Sequence, residues 1–174
     1  MRAYQVKVIL KNSKPPVWRR CLIPAGITFS QLALILEDIV ESERCAGYEY
    51  EFYQAEIRVR EWKEGERQAA TYYYDFQCAS DTFIDSLADK EVWFTFRPGD
   101  GRQYRAEIER RLSKAVSHPV IIKEKTDPQE CGWRDADTVN RELEQRYPIR
   151  YGEPDYWTFE ELREDVEHSN RGLT

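Results

Sequence analysis

Histidine and closely spaced cysteines are both scarce in this 174-residue chain. The two histidines, His118 and His168, lie far apart, and no Cys-x-x-Cys pair occurs. Zinc sites usually draw two ligands from neighbouring positions. We therefore expect no metal site and no cofactor. The cysteines are best interpreted as reduced, mostly buried thiols; they are Cys21, Cys45, Cys78 and Cys131.

Long apolar runs are missing as well. No stretch approaches the ~18 consecutive apolar residues that a membrane span requires, and residues 1–7 contain no uninterrupted apolar run that would serve as a signal peptide. We therefore expect a cytoplasmic protein without a membrane partner.

Positive charge is the minor sign, with 26 Lys and Arg against 32 Asp and Glu and a net charge of -6. Because nucleic-acid affinity comes largely from neutralising phosphates, an acidic chain makes a nucleic-acid partner unlikely unless a basic patch is concentrated locally.

The length and 41% hydrophobic residues fit one domain over residues 1–174. Within it, we expect residues 133–174 to form a helical extension packed on the sheet. The oligomeric state stays open.

Alternating apolar residues predict most of the strands. Tyr4, Val6 and Val8 alternate with polar residues, and Tyr48 to Phe52 alternates in the same way. The Pro98–Gly101 turn joins two further alternating runs, which predicts a hairpin. Together with the helices below, the pattern indicates an α+β fold with a mainly antiparallel sheet.

Helical periodicity predicts one long early helix, from Thr28 to Ser42, with Thr28 and Gln31 as a capping box. A short middle helix is expected from Ser80 or Asp81. C-terminal helices are expected to begin at Asp135 or Asp137, and at Thr158.

The segment Pro15-Pro16-Val17-Trp18-Arg19-Arg20 contains the first candidate binding residues. Tryptophan and arginine are enriched at interface hot spots. Because side chains alternate along a strand, only one of Arg19 and Arg20 shares the face of Trp18. The alternative is that Trp18 packs in the core while the arginines pair with acids.

Two tyrosines and one aspartate complete the candidate binding set. Tyr50 and Tyr74 belong to aromatic rows that suit either base stacking or cross-strand packing. Asp100 is either a binding residue or only a turn residue. The Pro98–Gly101 turn lacks the Lys-Ser/Thr ending of a phosphate loop.

Catalytic spacing is not recognisable, so we assign no catalytic residue and lean against an enzyme. A hydrolase site assembled in space from Asp75, Asp100 and His118 remains an alternative, since such sites need no fixed sequence spacing.

Three stretches carry a resemblance to a known family: residues 15–20, the predicted helix from Thr28, and Pro128-Gln129-Glu130-Cys131-Gly132. Over roughly residues 4–143 the chain resembles the family named after the third open reading frame of a root-inducing plasmid, whose members are also described as transposon passenger proteins. The resemblance implies an α+β fold, a bacterial or archaeal origin and no established activity.

This chain departs from that family at two places. Family members usually carry a His-Leu-His-type stretch where this chain has residues 48–52. They carry Tyr-Asp-Phe-Gly-Asp-x-Trp-x-His where it has residues 95–105, of which Gly99 and Asp100 remain. The chain is therefore expected to be a divergent member. Our leading hypothesis is a non-enzymatic protein-binding or adaptor module of mobile-element context; the alternatives are the hydrolase and a nucleic-acid-associated accessory protein.

Overall fold

The computed structural model describes residues 2–43, 47–61 and 75–149. Eight strands form one sheet in the order β5-β4-β3-β6-β7-β1-β2-β8. Neighbouring strands are antiparallel except β4 and β5, which are parallel. The strands are β1 (Ala3–Leu10), β2 (Trp18–Pro24), β3 (Glu49–Phe52), β4 (Ile57–Arg60), β5 (Asp75–Cys78), β6 (Trp93–Arg97), β7 (Tyr104–Leu112) and β8 (Val120–Lys125). The described helices are α1 (Phe29–Ile39), α2 (Ile84–Ala88) and α3 (Ala136–Arg146).

The alternating residues place one face of the sheet in the core. Tyr4, Val6, Val8 and Leu10 of β1 are all buried, while the residues between them are partly exposed. Helix α1 packs its apolar residues on this face, and the apolar residues of α2 and α3 join the same core cluster. The described helices therefore all lie on one side of the sheet.

Aromatic rings fill the centre of the core. Phe29 of α1 makes edge-to-face contacts with Tyr50 and Phe52 at centroid distances of 4.9 and 5.8 Å. Phe94 lies against Phe52 at 5.1 Å, and Tyr50 lies against Phe96 at 5.1 Å. Such pairs add ~0.5–1.5 kcal/mol each beyond the burial of their area.

The predicted long helix from Thr28 to Ser42 is wrong, although the α+β class is consistent with the structure. Helix α1 begins after Thr28, whose capping box with Gln31 is present, and ends at Ile39. Glu41 adopts a left-handed backbone with φ of 54°, which a continuing helix does not allow. Side chains from outside the helix donate hydrogen bonds to its last backbone oxygens, so the helix ends there.

The sheet was predicted to be mainly antiparallel. Six of the seven pairings between the described strands are antiparallel, but the parallel pairing of β4 with β5 makes the sheet mixed. Residues 62–74, between β4 and β5 in the sequence, lie outside the described residues. Of the predicted C-terminal helices, α3 is present with Asp135 as its cap. The helix predicted from Thr158 lies outside the described residues.

Candidate binding surface

The sheet has a second face on which none of the described helices packs, and we call it the helix-free face. Strand pairing defines its members, because directly paired residues point to the same side. Lys7 pairs with Glu107 and Arg20, and Ile9 pairs with Trp18 and Arg105. The same pairing continues from Arg105 through Thr95 to Glu51. This face is therefore formed by the polar positions of the alternating strands.

Trp18 forms the first cluster on the helix-free face. The Nζ atom of Lys7 lies 4.6 Å from its ring centroid, and the guanidinium carbon of Arg20 lies 5.0 Å away. Arg20 also donates to both carboxylate oxygens of Glu109, at 2.7 and 3.0 Å. This hydrogen bond from Arg20 holds the pKa of Glu109 below its usual value. Trp18 and its cations are therefore held in a defined arrangement.

Trp93 forms a second cluster of the same kind. The guanidinium carbon of Arg105 lies 4.2 Å from its ring centroid, while the Nε atom of Arg105 donates to Glu107 at 2.8 Å. Near the β5 edge, Arg60 lies 4.9 Å from the ring centroid of Phe76. Cation–π contacts of this type contribute ~0.5–1 kcal/mol each at exposed sites. Rings and cations thus alternate across the face.

A four-membered ion-pair network lies on β3, β4 and β6. Arg97 contacts Glu51 at 2.8 Å and Glu49 at 3.7 Å, and Arg58 contacts the same two carboxylates at 3.9 and 3.5 Å. Lys11 donates to Thr95 beside this network at 2.6 Å. The pKa of Lys11 is lowered mainly by its burial and, to a smaller extent, by the positive charge of Arg97. The two arginines and two glutamates of the network balance in charge, and Lys11 adds a positive charge beside them.

The charge of the helix-free face is opposite to that of the whole chain. Ten cations reach it from the described residues, against four carboxylates, which leaves a surplus of six positive charges. The cations are Lys7, Lys11, Arg20, Arg58, Arg60, Arg97, Arg105, Arg110, Lys123 and Lys125, and the carboxylates are Glu49, Glu51, Glu107 and Glu109. The chain as a whole has a net charge of -6. Folding therefore segregates positive charge on one face.

Arg19 points the other way, into the protein, and its side chain is 0% exposed. It donates to Glu124 at 2.8 Å, to the backbone oxygen of Ile39 at 2.7 Å and to that of Arg134 at 2.5 Å. Its guanidinium carbon also lies 4.6 Å from the ring centroid of Trp133. Arg19 thus joins β2 to the end of α1, to β8 and to the segment before α3, and it takes no part in the helix-free face.

The other predicted binding residues lie in three different environments. Tyr50 is fully buried, and its hydroxyl donates to the backbone oxygen of Phe29 at 2.8 Å. Asp100 lies in the β6–β7 turn, where its carboxylate accepts the backbone N–H of Arg102 at 2.9 Å. Tyr74 lies outside the described residues. Among the predicted residues that the structure describes, only Trp18 and Arg20 come together on the helix-free face.

The residues of the hydrolase alternative are dispersed. Asp75 begins β5 at one edge of the sheet, and His118 precedes β8 at the opposite edge. Asp100 lies in the turn between β6 and β7. Burial raises the pKa of the Cys21 thiol to about 12, which makes it a poor nucleophile. Within the described ranges, no group of three or more His, Cys, Asp or Glu residues is arranged to hold a metal ion.

Sequence reasoning missed several members of this face, among them Lys7, Trp93, Arg97 and Arg105. Each alternates with buried apolar residues along its strand, so the alternation already indicated that its side chain points away from the core. Combining these positions into one surface requires the strand order, because β3 pairs with β6 and β7 pairs with β1 across long stretches of sequence.

A family model describes the chain over most of its length. Residues 2–140 match the model of the plasmid pRiA4b ORF-3-like proteins. The chain belongs to this family. The two stretches in which family histidines were expected form β3 and the β6–β7 hairpin, and β3 pairs with β6. In this member of the pRiA4b ORF-3-like family, those strands carry the Arg–Glu network.

A solved structure supports the same fold. A protein of unknown function, MM3350 from Methanosarcina mazei Go1, aligns with a TM-score of 0.53 and 17% sequence identity, over 71% of this chain and 69% of that chain. At this identity the likeness concerns the fold alone. The curated proteins give no significant match. No helix in the described part of the chain is long and apolar enough to cross a membrane.

Proposed function

We propose that this member of the pRiA4b ORF-3-like family is a non-enzymatic binding module that holds an acidic segment of a protein partner on its helix-free face. The surplus of six positive charges on that face, in a chain of net charge -6, carries this proposal. Trp18 and Arg20 lie on the face and belong to the residue types that dominate interface energetics. Charge complementarity of this kind selects partners and speeds their association.

An acidic polypeptide suits the face better than a long polyanion does. The rest of the protein, outside the positive region, has a negative net charge, and four carboxylates lie within the region itself. A short acidic segment stays inside the region, whereas a long nucleic acid also meets the negative remainder of the molecule. The proposal also includes a cytoplasmic location and a mobile-element context, which the family description and the free thiols of Cys21 and Cys131 support.

Fluorescence anisotropy with a labelled Glu-Ser repeat peptide tests the proposal. We expect the peptide to bind, and a Gln-Ser peptide of equal length to bind at least tenfold more weakly. Trp18→Ala and Arg20→Ala should each weaken binding about thirtyfold, since truncating a hot-spot residue costs ~2 kcal/mol or more and ~1.4 kcal/mol corresponds to tenfold. Arg141→Ala is the matched control, because it removes one cation from an exposed position of α3, on the helix-covered side.

Equal binding of the two peptides, or an equal loss in Arg141→Ala and Arg20→Ala, would contradict the proposal. Circular dichroism of each variant verifies that it remains folded, so a loss of binding is not a loss of structure.

Nucleic-acid binding is the second candidate, because the face combines aromatic rings with cations. Single strands are bound by such combinations, with strong dependence on salt. A labelled single-stranded oligonucleotide in the same assay separates the candidates. Tight, salt-sensitive binding of the oligonucleotide without binding of the Glu-Ser peptide would replace the protein partner by a nucleic acid.

A further inference from the structure

A cleft of about 390 Å³ opens where the β6–β7 turn meets the beginning of β3. This volume falls within the range of small-molecule sites. Strands β7 and β1 lie between the cleft and Trp18, so the cleft is separate from the Trp18 cluster. Its described lining includes Gly47, Glu49, Arg58, Arg97, Gly99 and Arg102.

The turn that forms one wall has a defined backbone path. Gly99 and Gly101 have φ values of 106° and 92°, a region that favours glycine. Between them, the carboxylate of Asp100 accepts the N–H of Arg102. Apart from Gly101 and its two chain neighbours, no atom of the described residues lies within 4 Å of the position that a Cβ of Gly101 would occupy. The backbone of the turn is therefore accessible at Gly101, and the hydrogen bond to Asp100 fixes the backbone position of Arg102.

Three arginines are among the residues that line the cleft. Arg58 and Arg97 are positioned by Glu49 and Glu51, as described above. Arg102 donates to the backbone oxygen of Cys131 at 3.3 Å, which restricts the position of its side chain. Among the described lining residues, Glu49 is the one carboxylate, so the lining has a surplus of positive charge. Guanidinium groups present paired donors that match the geometry of carboxylates and phosphates.

We propose that this cleft binds a small oxyanion, a ligand that presents a carboxylate or phosphate group to Arg97 and Arg102. The cleft has the size of a metabolite site, and its donors are held before the ligand arrives. Asp100 acts by holding the turn, and its own negative charge opposes the anion. The cleft shares Glu49, Arg58 and Arg97 with the helix-free face, but Trp18 and Arg20, on which the peptide-binding test rests, do not line it.

NMR titration of the ¹⁵N-labelled protein with inorganic phosphate, and separately with citrate, tests this site at constant ionic strength. We expect saturable shifts of the amide signals of Gly99, Gly101 and Arg102 with at least one of the two probes. Arg102→Ala should weaken that binding at least tenfold. Arg110→Ala is the matched control, since it removes an exposed cation from the far end of β7 and should change the affinity less than twofold.

Asp100→Asn is the second test, because asparagine keeps the side-chain oxygen that accepts from Arg102 and removes the negative charge. Binding should strengthen several-fold. Shifts that do not saturate with either probe, or an equal loss in Arg102→Ala and Arg110→Ala, would overturn the site. Saturation by citrate alone assigns a carboxylate ligand, and saturation by phosphate alone assigns a phosphate ligand. Trp18→Ala should leave these titrations unchanged, so failure here is distinct from failure of the peptide assay.

Discussion

Replacing Arg19 by methionine should destabilise the protein by about 4 kcal/mol. The guanidinium is 0% exposed and makes three short hydrogen bonds, to Glu124, to the Ile39 oxygen and to the Arg134 oxygen. Methionine fills much of the volume but leaves these acceptors without their donor. Arg19 also forms an ion pair with Glu41 at 3.3 Å. The side chains of Glu124 and Glu41 are only 25% and 14% exposed, so water compensates poorly for the lost guanidinium. Breaking one side of a buried ion pair costs ~3–5 kcal/mol.

The adjacent residue provides the matched control. Arg20 makes an equally well-formed pair with Glu109, but both side chains are partly exposed. Arg20→Met should therefore cost no more than ~1 kcal/mol. Urea unfolding followed by tryptophan fluorescence measures both changes. In thermal unfolding, a loss of about 4 kcal/mol lowers Tm by roughly 8–16 °C in a protein of this size. Equal destabilisation by the two substitutions would refute the assigned difference in burial.

Three further predictions concern other parts of the structure. Thr28→Ala removes the capping oxygen of α1 and should cost ~1 kcal/mol in urea unfolding, whereas Thr28→Ser should cost much less; equal values would contradict the capping role. Asn140→Ala removes the amide that accepts from the Ile121 N–H at 2.7 Å and donates to its oxygen at 2.9 Å. It should cost ~1–3 kcal/mol, against almost nothing for Glu144→Ala on the same helix. The depressed pKa of Glu109 predicts stability that is present above its ordinary pKa of 4.5 and lost as the pH falls through its lower folded value. Glu109→Gln should flatten this decline, and an unchanged pH profile would argue against the coupling to Arg20.

The end of α1 shows why local periodicity overextended the predicted helix. Apolar residues continue through Val40, so the pattern alone favours a longer helix. In the folded protein, Arg19 takes the Ile39 oxygen, and the Trp133 indole donates to the Val40 oxygen at 2.9 Å. Glu41 accepts from the backbone N–H of Arg134 at 2.8 Å. These partners are distant in sequence, so a short window along the chain does not contain the information that ends the helix.

The candidate surface shows a related limit. Alternation predicted that Arg19 and Arg20 lie on opposite faces, and the structure confirms it. Alternation also places Arg20 on the face of Trp18. It did not show which face of β2 lies outside the core, because both faces carry an arginine. Net charge was misleading for a similar reason, since it sums over a molecule whose charges are separated in space.

By itself, the sequence determined the alternating strands, the start of α1 and the family, because each depends on residue types at short, regular spacing. Only the tertiary structure decided the strand order, the burial of Arg19 and the collection of ten cations on one face. The physical reason is that backbone pairing between distant strands places side chains beside one another, and local preferences do not specify which strands pair.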